Sequence, residues 1–179
     1  LGIRPGRWIT DAAGQTLGFT GLHLTTESIA ALGQLVLQDG VWDGRHLVPA
    51  GWVDRATSRQ IDNSDNVGSG PDWRQGYGYQ FWMSRHGVRG DGAFGQFSLV
   101  LPAQDAVIVT TACVPEMQPL LDLVWTHLLP AFGAEGSMEA DAVLAQRLAG
   151  LRLTGVIEPG VVAPGGQAHG VSSPRPETA

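Results

Sequence analysis

Residues 77–113 read YGYQFWMSRHGVRGDGAFGQFSLVLPAQDAVIVTTAC, and the way this run divides into strands settles what kind of sheet the chain builds. Tyr77 to Met83 is aromatic and strand-like, Ser84 to Val88 reads as a turn, and Ala93 to Leu101 resumes with Phe94, Phe97, Leu99 and Leu101. Pro102-Ala103-Gln104-Asp105 is a second turn, and Ala106 to Cys113 a third strand. Three strands joined by short turns predict an antiparallel meander. Between the first two lies Arg89-Gly90-Asp91-Gly92-Ala93-Phe94-Gly95-Gln96, with three glycines in eight residues. Residues this small inside a sheet mark a bulge, or a place where a ligand or another backbone comes close.

On the N-terminal side, Thr25 to Gly40 carries hydroxyl residues for a cap, an early acid and a closing glycine, with Ile29, Leu32, Leu35 and Val36 at helical spacing. The chain should turn over Val41 to Arg45. A second helix is expected from Pro49, with Trp52, Val53 and Ala56 on its buried face. Gln60 to Gly76 is polar and reads as a long loop. On the C-terminal side, a helix opening at Pro119 should bury Leu120, Leu121, Val124, Leu128 and Trp125 as far as Pro130, and a shorter one should span Glu139 to Ala149. Residues 155–179 contain five glycines and four prolines, the composition of a flexible tail or linker. The resulting fold class is α+β, an antiparallel sheet covered by helices.

The formal net charge is -6, and all 11 cations are arginine. That balance argues against nucleic acid as a partner, since non-specific binding of phosphate backbones rests on clustered Lys and Arg. No apolar run approaches the roughly 20 residues of a membrane span, so no membrane segment is expected and the chain reads as soluble. The single cysteine, Cys113, cannot form an internal disulfide and reads as a small buried thiol at the end of a core strand.

Several chemistries fail on their residue requirements. There is no Gly-x-Ser-x-Gly nucleophile elbow. The five histidines are scattered singly beside one cysteine, which predicts no metal site. The glycine-rich stretch joins antiparallel strands and the chain lacks lysine, so neither a dinucleotide fold nor a P-loop fits, and no cofactor is expected. Arg89-Gly90-Asp91 matches an adhesion tripeptide short enough to recur by chance. Ser64-Asp65-Asn66 matches one signature of class A β-lactamases, but its two companion signatures need lysine.

A broader resemblance rests on several ordered stretches. Gly21-Leu22-His23-Leu24-Thr25-Thr26-Glu27-Ser28-Ile29-Ala30 followed by Leu32-Gly33-Gln34-Leu35 resembles a conserved stretch of the β-lactamase-related serine hydrolases, the class C β-lactamase, esterase and D-aminopeptidase group. Gly40-Val41-Trp42-Asp43-Gly44-Arg45-His46-Leu47-Val48-Pro49 with Trp52-Val53, and Gly76-Tyr77-Gly78-Tyr79-Gln80-Phe81-Trp82, continue it. Residues 1–153 are thereby identified as resembling the C-terminal portion of a β-lactamase/transpeptidase-like domain, with 154–179 as the tail.

The resemblance implies an acyl-serine mechanism, in which a serine of Ser-x-x-Lys attacks an ester or amide with help from a tyrosine of Tyr-x-Asn. Both elements precede the position matched by Leu1, so the chain is expected to begin after them, and to carry neither nucleophile nor base. Any targeting segment would precede it too. The third element, Lys-Thr-Gly or His-x-Gly in the family, falls on Gly90-Asp91-Gly92, with Gly90 where a cation is usual. The resemblance places the Ala93 N–H in the oxyanion hole. Arg89 and Tyr77 are candidate substrate contacts, although Arg89 faces the opposite side of the strand from Gly90 and reads more readily as a solvated charge. The substrate class is a small-molecule or peptide ester or amide. Alternatives are a non-catalytic binding remnant and a fragment that complements the missing N-terminal portion.

Overall fold

The computed structural model describes residues 1–3, 6–66, 70–133 and 135–151. They belong to two units, Leu1–Ala134 and Glu135–Ala179.

The first unit opens with β1 (Arg7–Trp8) and β2 (Leu22–His23), an antiparallel pair matching Arg7 with His23 and Trp8 with Leu22. Helix α1 (Thr26–Leu37) starts where the sequence predicts. Thr25 caps it by accepting the Ser28 N–H at 3.3 Å, and Gly40, at φ +77°, ends it by donating its N–H to the Leu35 carbonyl at 2.8 Å. Strands β3 (Val41–Trp42) and β4 (Arg45–His46) form a hairpin across Asp43-Gly44, both at positive φ, as a two-residue Asp-Gly turn requires.

Helix α2 (Trp52–Ala56) is shorter than expected and begins after Gly51 rather than at Pro49. Ala56 is buried and Val53 half-buried, but Trp52 leaves the expected buried face. Its ring stacks on Tyr79 (centroids 5.7 Å apart) while remaining 44% exposed.

The main sheet has four strands where the sequence predicts three: β5 (Trp82–Ser84), β6 (Gly87–Gly92), β7 (Gln96–Leu101) and β8 (Ala106–Thr110), antiparallel and in that order. The reason is local. Gly78 donates to the Phe81 carbonyl at 2.7 Å and Gln80 sits at φ +65°, so the aromatic run from Tyr77 curls before it can extend. The turn after β5 then needs only Arg85 and His86, which places the glycine stretch inside β6 instead of at a junction. Ala93, read as part of a strand, lies in the turn between β6 and β7. Strand β8 stops at Thr110, and Cys113 is exposed rather than buried.

Strand alternation and register divide the sheet into two faces. Trp82, Arg89, Asp91, Phe97, Leu99, Leu101 and Ile108 share one, while Val88, Gly90, Gly92, Gln96, Ser98, Val100, Val107 and Val109 share the other. Helix α3 (Met117–Leu123) covers the first face. Its Leu121, with Val124 and Trp125 just beyond it, packs on Phe97, Leu99, Leu101 and Trp73 to form the core. Beyond Leu123 the helix widens into a π turn over Val124–Leu128. That turn shifts the 3.6-residue phase, so Leu128, expected in the buried stripe, is 48% exposed.

Helix α1 crosses β7 and β8 on the second face. Gly33 permits the approach, since a Cβ there would lie 2.7 Å from both Ser98 Oγ and Val107 Cγ1. Unit 1 is thus an antiparallel sheet between helical layers, and the chain is α+β.

The second unit contains α4 (Met138–Gly150), capped by Ser137 through the Ala140 N–H at 3.0 Å, with no buried residue. The predicted tail lies outside the described residues. No described helix is long and apolar enough to cross a membrane.

Candidate functional site

The two faces of β6 do different work. On the face toward α3, Arg89 is wholly buried, which overturns both its readings, solvated charge and substrate contact. Its Nε donates to Asp91 Oδ2 at 2.9 Å, and its Nη1 donates to the Asp72 carbonyl at 3.0 Å, the Met83 carbonyl at 3.1 Å and Ser84 Oγ at 2.6 Å. The guanidinium lies 4.5 Å from the centroid of Trp73 and 5.6 Å from that of Trp82. A delocalised, weakly hydrated cation suits such a sandwich better than an ammonium would. Burial lowers the Arg89 pKa, against the pull of Asp91 and Asp72, and burial raises that of Asp91, against the pull of Arg89. Asp91, expected on the cleft wall, therefore points away from it and serves as the counter-ion of Arg89.

Beside this pair sits an acid that the sequence reading left in a polar loop. Asp72, in the short turn Pro71–Trp73, is 0% exposed. Its Oδ1 accepts the Arg85 N–H at 3.0 Å. Its Oδ2 accepts Arg85 Nη2 at 2.8 Å, Gln118 Nε2 at 2.8 Å and Trp125 Nε1 at 3.1 Å. Burial alone would raise the Asp72 pKa, but the hydrogen bonds from Arg85, Gln118 and Trp125 outweigh it and hold the pKa at about 2. A tryptophan next to an acid inside an otherwise polar loop was the one sequence signal for this cluster. Tyr77, the other candidate contact, is half-buried with its ring edge-on to Trp82 (centroids 4.8 Å apart) and lines neither groove described below.

The opposite face of β6 carries Gly90 and Gly92 and is open. A groove of about 360 Å³ runs between α1 and the sheet, with Gly90, Ser98 and Val100 as floor and Ile29, Leu32 and Val36 as one wall. A second groove, of about 850 Å³, continues past Gly92 and Ala93 toward the β1–β2 hairpin, where Trp8, Phe19, Thr20 and His23 line it. Ile29, Leu32, Gln80 and Gln96 border both.

Gly90 is the informative residue. Its φ is not in the left-handed region, and a Cβ built there would meet only Ser98 Cβ at 3.8 Å, an ordinary contact. Neither backbone strain nor packing among the described residues calls for glycine. What the missing side chain does is keep the groove clear.

The turn above the grooves is held firmly. Gly95, at φ +89°, cannot carry a side chain, because its Cβ would come within 2.8 Å of Leu120. Thr110 Oγ1 donates to the Gly95 carbonyl at 2.7 Å, the Val114 N–H to the Phe94 carbonyl at 3.0 Å, and Gln96 Nε2 to the Ala112 carbonyl. Phe94 itself is at φ +65°, as is Gln80 across the grooves. Both flank the site, two large side chains in a backbone region that non-glycine residues seldom occupy. Ala93 is exposed, and no turn or loop hydrogen bond among the described residues uses its N–H.

Among the described residues, those lining the two grooves include no Arg, Asp or Glu, and His23 is their one titratable side chain. Ser98 lines the smaller groove and His23 the larger, and no hydrogen bond joins them. Among the described residues no group of three or more His, Cys, Asp or Glu is placed to hold a metal ion. No family model matches the chain, and no curated protein matches it either.

Proposed function

We propose that this chain is the C-terminal portion of a β-lactamase-related serine hydrolase with a β-lactamase/transpeptidase-like fold, supplying one wall of an acyl-transfer cleft whose nucleophile lies outside residues 1–179. The observation that carries this reading is the open glycine face of β6, where Gly90 has no packing reason to be glycine among the described residues and Ala93, in the turn beyond Gly92, lines the larger groove. The ordered sequence resemblance agrees with it, as does the absence of lysine from the chain.

In the proposed reaction a serine hydroxyl attacks the carbonyl carbon of an ester or amide while a neighbouring base takes its proton. Negative charge builds on the carbonyl oxygen, and the Ala93 N–H donates to it. Collapse expels the alcohol or amine with the returned proton, and water then releases the acid from the acyl-serine. Because Arg89 is locked behind the strand and no described arginine lines either groove, β6 offers no cation for a substrate carboxylate. The favoured substrates are therefore esters or amides uncharged on the side that meets β6.

The test is covalent labelling with a fluorophosphonate, read by intact mass. Residues 1–179 alone should take up no label, and the same chain joined to a segment carrying Ser-x-x-Lys and Tyr-x-Asn from its own reading frame should take up one. Labelling of a serine within 1–179 alone, or no labelling of the joined protein, counts against the proposal.

A second reading, a non-catalytic module that binds an uncharged acyl or peptide group, draws on the same grooves, which hold no hydrogen-bonded nucleophile and base. Binding of an N-acetylated dipeptide ester without turnover by the joined protein would favour it.

A further inference from the structure

The turn that carries Ala93 is held from outside itself. Phe94 and Gly95 stand in succession at φ +65° and +89°, and Phe94 is 56% exposed, so burial of its ring does little to offset a backbone conformation that a bulky residue seldom adopts. Such backbone persists only where its surroundings fix it. Here the fixing comes from one segment, residues 110–117. Thr110 Oγ1 donates to the Gly95 carbonyl at 2.7 Å, the Val114 N–H to the Phe94 carbonyl at 3.0 Å, and the Gly95 N–H to Met117 Sδ at 3.1 Å. Gln96 Nε2 adds a fourth contact, to the Ala112 carbonyl.

Three of these contacts belong to side chains, and Thr110 is the one placed to act through the turn alone. Gln96 borders both grooves, and Met117 packs against the core. Thr110 is half-buried, pairs with Phe97 at the end of β8, and lines neither groove. We infer that Thr110 is a positioning residue for acyl transfer: its hydroxyl holds the Gly95 carbonyl and thereby fixes the turn from which the Ala93 N–H meets the developing oxyanion. The inference rests on the proposed hydrolase reading. A donor stabilises an oxyanion best when it is fixed before the charge develops, and a displacement of about 1 Å costs on the order of 100-fold in rate. Loss of the Thr110 contact leaves the other three in place, so the expected fall is about tenfold.

The experiment compares Thr110→Val, which replaces the hydroxyl by a methyl group, with Thr110→Ser, which keeps it, both in the joined protein. Acylation by a fluorophosphonate is followed over a concentration series, and hydrogen exchange is measured on the same variants. Thr110→Val should acylate about tenfold more slowly and Thr110→Ser within about twofold of the parent. The loss should fall on the maximal rate and leave the half-saturating concentration unchanged, because no groove contact is removed. Exchange should quicken at the amides of 93–95 and stay as it was across 97–101. A Thr110→Val protein acylated as fast as the parent overturns the inference and leaves the hydrolase reading standing. So does a loss that Thr110→Ser shares, that appears in the half-saturating concentration, or that comes with faster exchange throughout β7. A parent that takes up no label removes the hydrolase reading and the inference with it. If Thr110→Val does not fold, Thr110→Ala is judged by the same outcomes.

Discussion

The indole N–H of Trp125 donates to Oδ2 of Asp72 at 3.1 Å, across 53 positions of sequence. Through that one oxygen the short turn Pro71–Trp73 is tied to the π turn beyond α3, to Arg85 and, by way of Gln118, to α3 itself. The wall of the candidate cleft rests on this cluster, because the neighbouring Arg89 anchors β6 to the Asp72 carbonyl.

Replacing Asp72 by alanine should destabilise the chain by about 3 kcal/mol, since it leaves the buried Trp125 N–H without its acceptor and takes from Gln118 and Arg85 one of the two carboxylates each holds, the other being Asp122. Urea unfolding followed by tryptophan fluorescence checks this. A loss under about 1 kcal/mol would mean that the cluster is peripheral.

The same carboxylate sets an acid limit. Its pKa is held at about 2 in the folded chain against the ordinary 3.8 of an aspartate, so the folded state binds fewer protons than the unfolded one between those values. The stabilisation, about 2 kcal/mol at neutral pH, is fully present above roughly pH 4 and declines as pH falls toward 2. Stability measured against pH should show this fall in the parent chain. Asp72→Asn should start lower and flatten the part of the curve due to this group.

Arg89→Lys should cost about 3 kcal/mol although it conserves charge, because an ammonium cannot reproduce the planar fork between Trp73 and Trp82 or reach all four oxygen partners at once. A substitution at a solvated or substrate-contacting arginine would leave unfolding unchanged, so the same denaturation curve separates the two pictures.

Glycine positions give a matched contrast. Gly90→Ala should be neutral or stabilising by a few tenths of a kcal/mol, since the space is open and the backbone ordinary. Gly95→Ala should cost about 2 kcal/mol or more, as φ is +89° and Leu120 blocks the new methyl. Equal costs at the two positions would contradict the view that Gly90 is glycine for the sake of the groove.

The elements that announce themselves by local chemistry are legible in the sequence. The Thr25 cap and the Gly40 exit fix α1, alternation in Phe97, Leu99 and Leu101 fixes β7, and the opposition of Arg89 and Gly90 across β6 follows from strand geometry alone. What was hidden depends on partners distant in sequence. The burial of Arg89 needs Asp91, Trp73 and Trp82 together, and the burial of Asp72 needs Gln118 and Trp125, 46 and 53 positions away. Strand β6 was read as a turn and a junction because glycine weakens every strand signal. The phase of α3 was misjudged at Leu128 because a π turn leaves no mark in an apolar pattern.

The most direct measurement of the central claim is the acylation rate of the joined protein by a fluorophosphonate, compared between the parent and Ala93→Pro. Proline removes the one N–H assigned to the oxyanion. The account predicts a fall of about 100- to 1,000-fold in acylation with the fold retained by circular dichroism. A rate unchanged within a few fold would contradict it.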